Sequence, residues 1–253
     1  MSDTPPEIYE EIEIRPLRFF PALGIFAIAG GIMIAMYYGL FPRWLGRYGP
    51  INGYIFSSIA GLLTILFLSI ALYYYKTDKN MPATWENLQI RFNLKKLTWH
   101  DWKWIFILFI PTFLLPLGLG MLIQWIIGNF TISIPFPGNY EAQAIVSLMN
   151  PTFYQGILLF ILIVINVIAE ELYFRGYVYP RQEKEHGKWT WVIHSLMWWI
   201  IHAHNWFNFP TILFNSLLIP LLWHKTKNTT ATIVSHFIGN VTSIVIMYIL
   251  LLF

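Results

Sequence analysis

Residues 153–175 read FYQGILLFILIVINVIAEELYFR. No charge interrupts positions 153–169, and then two carboxylates and a guanidinium arrive within six residues. An uncharged apolar run that approaches about 20 residues is long enough to cross a bilayer core as a helix. This stretch decides the fold, because its first part is a membrane span and its end holds charges that lipid cannot solvate. Similar apolar runs fall at about 18–41, 51–75, 104–127, 189–206, 208–223 and 230–252. The 253 residues are 57% hydrophobic and only 11% charged, against about 25% charged in soluble domains. Mean hydropathy is +0.55. This composition excludes a soluble enzyme, a disordered protein and a nucleic-acid binder. The absence of cysteine excludes disulfides, thiolate metal sites and a cysteine nucleophile. The expected fold is an all-α, polytopic transmembrane helix bundle of about seven spans, or eight with an interfacial or re-entrant helix.

The basic residues orient that bundle. With the N-terminus inside and seven alternating spans, 14 of the 16 Lys and Arg residues fall on the inner side. Only Arg43 and Arg47 fall outside. Such a split predicts a cytoplasmic N-terminus. Residues 1–17 carry Asp3, Glu7, Glu10, Glu11 and Glu13, the wrong charge for a secretory signal, and read as an acidic cytoplasmic tail. Residues 18–149 read as N-terminal transmembrane helices, and 150–253 as a second helix core that holds the ionisable groups within spans. Within the first group, about 84–103 alternates apolar and basic residues with interleaved Trp and reads as an interfacial amphipathic anchor. Trp44, Trp99, Trp102, Trp104, Trp189, Trp191, Trp206 and Trp223 fall near span ends and read as an aromatic belt. Pro111 and Pro116 are expected to kink the third span. The run at 208–223, with Pro210, Asn215 and Pro220, is expected to be tilted, broken or re-entrant.

Ionisable side chains inside spans are costly and are functional candidates by default. Three groups stand out. Glu171 and Arg175 are i and i+4, with the acid on the N-terminal side, and can pair. Glu170 is turned about 100° away on an α-helix and can face a cavity, with Asn166 one turn earlier on the same face. The second group is Trp198 to His202, where His194, Trp198 and His202 share a stripe. His194 and His204 are weaker candidates, and His100, His186 and His224 are expected to face solvent. In the third group His236 and Asn240 share a face, beside Gly239, and could converge on a developing oxyanion. Salt-bridge clustering, core histidine packing and helix–helix hydrogen bonding are the structural alternatives for the three groups.

Glu170-Glu171-x-x-x-Arg175, then Trp198-x-x-x-His202, then His236-x-x-x-Asn240, in that order, resemble the CPBP family of CAAX proteases and bacteriocin-processing enzymes. Its relatives include the type II CAAX prenyl endopeptidase of eukaryotes. The resemblance covers roughly residues 150–245 and includes the lead-in Leu221 to Asn228. Trp198 stands where the family usually has Phe. The resemblance implies an intramembrane endopeptidase with a cavity open to the cytoplasm. Glu170 and His202 would activate water, His236 and Asn240 would form the oxyanion hole, and Glu171 and Arg175 would support the site. No cofactor is expected; the alternative is a zinc site of Glu170, His202 and His236. The metal-free version is preferred because Asn240 is a poor zinc ligand and no carboxylate is evident behind either His. The expected partners are a peptide or membrane-protein substrate and the lipid bilayer, with no nucleic acid. The expected location is a prokaryotic plasma membrane. A non-catalytic bacteriocin self-immunity protein, a proton relay or transporter, and an acyl or peptidyl transferase are the competing functions. One tension is geometric. Glu170 lies near the inner edge by count, whereas His202 lies about 20 Å into its helix at 1.5 Å per residue. Either span four ends deeper than drawn, or residues 180–190 descend into a cavity.

Overall fold

The computed structural model describes residues 15–49, 84–130, 152–205 and 209–252, with scattered positions between 51 and 61. The expected second span and nearly all of the acidic tail lie outside these residues, as does Trp206. The described residues are helical, with no strand among them. Helix α1 (Phe19–Ile34) runs into a π-helical stretch, Ala35–Leu40, and then α2 (Phe41–Tyr48). The short α3 (Trp85–Arg91) precedes α4 (Trp99–Phe130). Helix α5 (Phe153–Glu170) continues as a second π-helical stretch, Glu171–Val178, and as α6 (Tyr179–His186). A turn at Gly187 leads to α7 (Thr190–Ile201) and the 3-10 turn His202–Asn205. Helices α8 (Phe209–Thr226) and α9 (Thr229–Leu252) complete the bundle.

Three helical runs among the described residues are long and apolar enough to cross a membrane: Phe19–Tyr48, Trp99–Ile123 and Phe153–His204. Their outward faces are apolar. On α4, Phe106, Ile110, Leu114, Leu117 and Met121 are exposed at helical spacing, the reverse of a soluble amphipathic helix. Buried packing forms two clusters. One joins α1, the second π stretch and α7, with Phe26 stacked on Phe174 at 5.0 Å. The other joins α4, α8 and α9 through Ile105, Leu108, Leu222 and Ala231.

Several expectations change here. Of the three forms expected for the run at 208–223, the broken one is set aside: residues 209–226 form one continuous helix, with Pro210 in its first turn and Pro220 inside it. Proline at a first turn costs no hydrogen bond, since that N–H has no partner within the helix. Helix α4 holds both Pro111 and Pro116 within one helical run, as a proline-kinked helix also does. Trp223 is not a belt residue. It is buried and its indole N–H donates to Thr229 Oγ1 at 3.1 Å, closing the α8–α9 turn. His224 sits on α8 within hydrogen-bonding distance of the Tyr179 hydroxyl, at 3.2 Å, instead of facing open solvent.

The segment 84–103 divides in two. Thr84 caps α3 by accepting from Asn87 N–H, and Trp85 is exposed as an interfacial anchor would be. Phe92 instead turns inward and is buried. Asn93, at φ 52°, reverses the chain, and its carbonyl accepts from Thr229 N–H at 2.9 Å. Asn228 accepts from Lys95 N–H through Oδ1 at 3.3 Å and donates to Asp101 Oδ2 at 3.2 Å. Asp101 also accepts from the backbone and hydroxyl of Thr98. Residues 92–101 are therefore a strap tied to the start of α9.

Candidate active site

The site begins where the α-helical period fails. At Glu171 the helix loosens into π geometry over eight residues, and seven of them are buried. π-helical bulges inside helices occur often at functional sites. Gly176 is required here. A Cβ at that position would meet Phe92 of the strap at 2.8 Å, so only a glycine admits the strap against the helix. The helix does not stop at the charges but runs on to His186, sixteen residues past Glu170. Past Gly187, the 3-10 turn and the twelve residues of α7 bring the chain back to His202, fifteen positions on. The two arms of this hairpin are nearly equal, each about 20–24 Å at 1.5 Å per residue. The depth mismatch between Glu170 and His202 disappears because span four extends well past the charges.

Glu171 and Arg175 are fully buried, and their side chains approach to 3.4 Å, as the i and i+4 spacing predicts. Arg175 also lies over the Trp198 ring, at 4.3 Å from its centroid. A buried guanidinium needs such compensation, and a desolvated cation–π contact supplies about 2 kcal/mol. A further bond has no signature in local spacing. His236 Nδ1 lies 2.9 Å from Glu171 Oε1, linking α9 to the π stretch across 65 positions. An ionised carboxylate only accepts, so Nδ1 is the protonated nitrogen in this bond. The expectation that neither His has a carboxylate behind it is therefore overturned for His236.

Trp198 joins the remaining parts. Its ring meets His202 at 4.5 Å and His236 at 6.2 Å, both edge-on. His202 Nδ1 donates to the Trp198 carbonyl at 3.0 Å, since a carbonyl can only accept. That fixes the Nδ1–H tautomer and leaves Nε2 as an acceptor in the neutral ring. Glu170 is buried, in the electrostatic reach of His236 and Arg175, with Asn166 bonding to it as its spacing predicted. Its Oε2 has no hydrogen-bond partner among the described residues. Asn240 lies half-buried on α9, one turn beyond His236. Glu170 and His202 make no direct hydrogen bond.

The first helix reaches this site too. Gly30 packs against the backbone of Ile201, where a Cβ would come within 3.2 Å of Cα. Tyr37 stacks on His204 at 4.7 Å, and the Tyr38 hydroxyl donates to the His204 carbonyl at 2.9 Å. Helix α1 and its π stretch thus clamp the turn that carries His202. No motif in residues 18–149 announced this, and nothing in local spacing could have done so. His194 does not join the site. Its Nδ1 lies 2.6 Å from Gln182 Oε1 and its ring packs among Phe26, Phe174 and Tyr179. It is a core histidine.

Among the described residues, helices with apolar runs of membrane length bury two carboxylates, a guanidinium and an imidazole together, and ionisable groups so placed mark a candidate functional site. Residues 152–242 match the family model described as type II CAAX prenyl endopeptidase Rce1-like, and that segment of the chain is similar to this family. Every residue of the expected site falls inside the matched segment. No curated protein and no solved structure matches the chain. The family is one of endopeptidases acting within membranes.

The zinc alternative requires Glu170, His202 and His236 to converge on one ion. Among the described residues no three His, Asp or Glu side chains are placed to hold a metal.

Proposed function

We propose that the protein is a glutamate-dependent intramembrane endopeptidase that cleaves a peptide or membrane-tethered substrate at a cytoplasm-facing site. One observation carries the reading: Glu170 is a buried carboxylate with an unpartnered oxygen, within the electrostatic reach of His236 and Arg175. Buried polar atoms are almost always bonded, so this oxygen is the natural acceptor for a water or substrate proton. Glu170 takes the proton of the attacking water. His202 accepts from that water through Nε2 and holds it in line, since its Nδ1–H is committed to the Trp198 carbonyl. The water oxygen bonds to the scissile carbonyl carbon, and negative charge passes to the carbonyl oxygen.

His236 and Asn240 receive that charge. With Nδ1 committed to Glu171, His236 donates from Nε2 only when doubly protonated. Glu171 is its counter-ion, and the buried set of Glu170, Glu171, Arg175 and His236 then sums to zero charge. Glu170 returns its proton to the leaving amine, which completes hydrolysis. Basic residues from three segments gather at the hairpin end of the bundle, with Lys225 near Trp104 and Lys227 paired with Glu183. Such a cluster supports the cytoplasmic placement of that end.

The test is peptide cleavage by the purified chain in detergent, read by mass spectrometry, comparing wild type with Glu170→Gln, each with and without a zinc chelator. Loss of a general base costs about 10²–10⁴-fold. Cleavage that survives chelation and is lost in the variant is the expected result. Cleavage abolished by chelation would overturn the metal-free mechanism. Tight peptide binding without cleavage in the wild type, unchanged in the variant, would point to a self-immunity protein instead.

A further inference from the structure

At the hairpin end, the start of α7 and the end of α8 enclose a cavity of about 330 Å³ lined by Lys188, Trp189, Trp191, Leu221, His224 and Lys225. No carboxylate lines it. The acid nearest to its wall is Glu183, 3.4 Å from His224, and Glu183 is already paired with Lys227. Lys188 and Lys225 have no ion-pair partner among the described residues. Each ammonium instead lies near an indole, Lys188 at 5.8 Å from Trp189 and Lys225 at 5.5 Å from Trp104. Two unpaired cations beside one cavity repel each other until an anion lies between them.

We propose that this cavity binds the phosphate of an anionic phospholipid, with Lys188 and Lys225 as the clamp. Basic pockets between membrane helices take such head groups. The amphipathic lining favours a lipid as the source of the phosphate. Trp189 is 61% exposed in the turn that precedes α7, and exposed indoles of membrane proteins are enriched at the depth of the head groups. Leu221 adds an apolar wall below it. The cavity is also at the opposite end of α7 from His202, so a lipid bound there braces the hairpin without entering the proposed reaction site.

The full chain, purified in detergent, would be titrated with phosphatidylglycerol, with phosphatidylcholine and with inorganic phosphate. Native mass spectrometry would read retained lipid, and thermal unfolding would read stabilisation. Phosphatidylglycerol should be retained and should raise Tm, whereas phosphatidylcholine and inorganic phosphate at equal concentration should not. Lys188→Gln with Lys225→Gln should weaken phosphatidylglycerol retention at least tenfold, while Arg43→Gln with Arg47→Gln should leave it unchanged. Equal retention of the two lipids, or full retention by the Lys188 and Lys225 variant, would overturn the site. Stabilisation by inorganic phosphate as strong as by the lipid would overturn the lipid assignment. None of these readouts needs proteolysis, so the outcome stands apart from that of the cleavage assay.

Discussion

The chain loosens into π geometry twice, and the two places serve different ends. Glu171–Val178 lies in the interior, seven of its eight residues buried, and carries the ion pair of the site. Ala35–Leu40 lies on the outside of the bundle, with only Tyr37 buried, and carries no charge. The inner stretch aims Glu171 at both Arg175 and His236. The outer stretch brings two adjacent tyrosines to one turn, one on the ring of His204 and one on its carbonyl. The same backbone irregularity therefore presents reactive groups in one place and grips their support in the other. If that contrast is right, damage to the inner stretch should be costly to folding and activity together. Damage to the outer one should show mainly in catalysis.

The largest expected effect is that of Arg175→Leu. It leaves Glu171 buried without its cation, and breaking a buried pair in this way costs about 3–5 kcal/mol. Thermal unfolding in detergent should show a large fall in Tm, and near-wild-type Tm would remove the inner stretch from its structural role. Gly176→Ala comes next. Its Cβ would meet Phe92 at 2.8 Å, and overpacking of this kind costs about 1–3 kcal/mol. Adding Phe92→Leu should recover part of the lost stability, because the clash is with that side chain. No recovery would mean that the strap does not press on the helix there.

Tyr38→Phe should be smaller in stability, about 0.5–1.5 kcal/mol for one hydrogen bond. It should lower kcat more than it raises KM, since the turn bearing His202 is held less firmly. An unchanged kcat would reduce the outer stretch to plain packing. The smallest effect belongs to Trp198→Phe. The indole N–H of Trp198 is buried without a hydrogen-bond partner among the described residues, so removing it forfeits no bond. An aromatic face remains for Arg175, and the smaller ring leaves only a small cavity, at a cost of about 24 cal/mol per Å³ left unfilled. Cleavage should persist in Trp198→Phe and fall sharply in Trp198→Ala, measured side by side.

The apolar runs at about 18–41, 104–127, 153–174 and 189–206 were legible as residues, because the cost of placing polar groups in hydrocarbon is written into composition, and they overlap the helical runs Phe19–Tyr48, Trp99–Ile123 and Phe153–His204. So was the Glu171–Arg175 pair, which needs only the separation of one turn. The seven residues of the ordered motifs could be picked out by polarity and spacing, and their expected roles came from the family resemblance. Other features were out of reach. The π stretch breaks the period that spacing arguments assume, and the continuation of α5 through its own charges follows from their burial against α7 and α9. Trp223 looked like a belt residue only because it stands near a span end, and its bond to Thr229 depends on the turn closing.

What the sequence determined by itself was the helical membrane class and the set of polar groups that lipid would not tolerate. Both follow from local composition and from transfer free energies. Tertiary structure alone decided which groups meet: His236 with Glu171, Trp198 with Arg175 and both histidines, Tyr37 and Tyr38 with the His204 turn. These contacts join residues on different helices, and a buried charge accepts whichever partner the packing brings within reach.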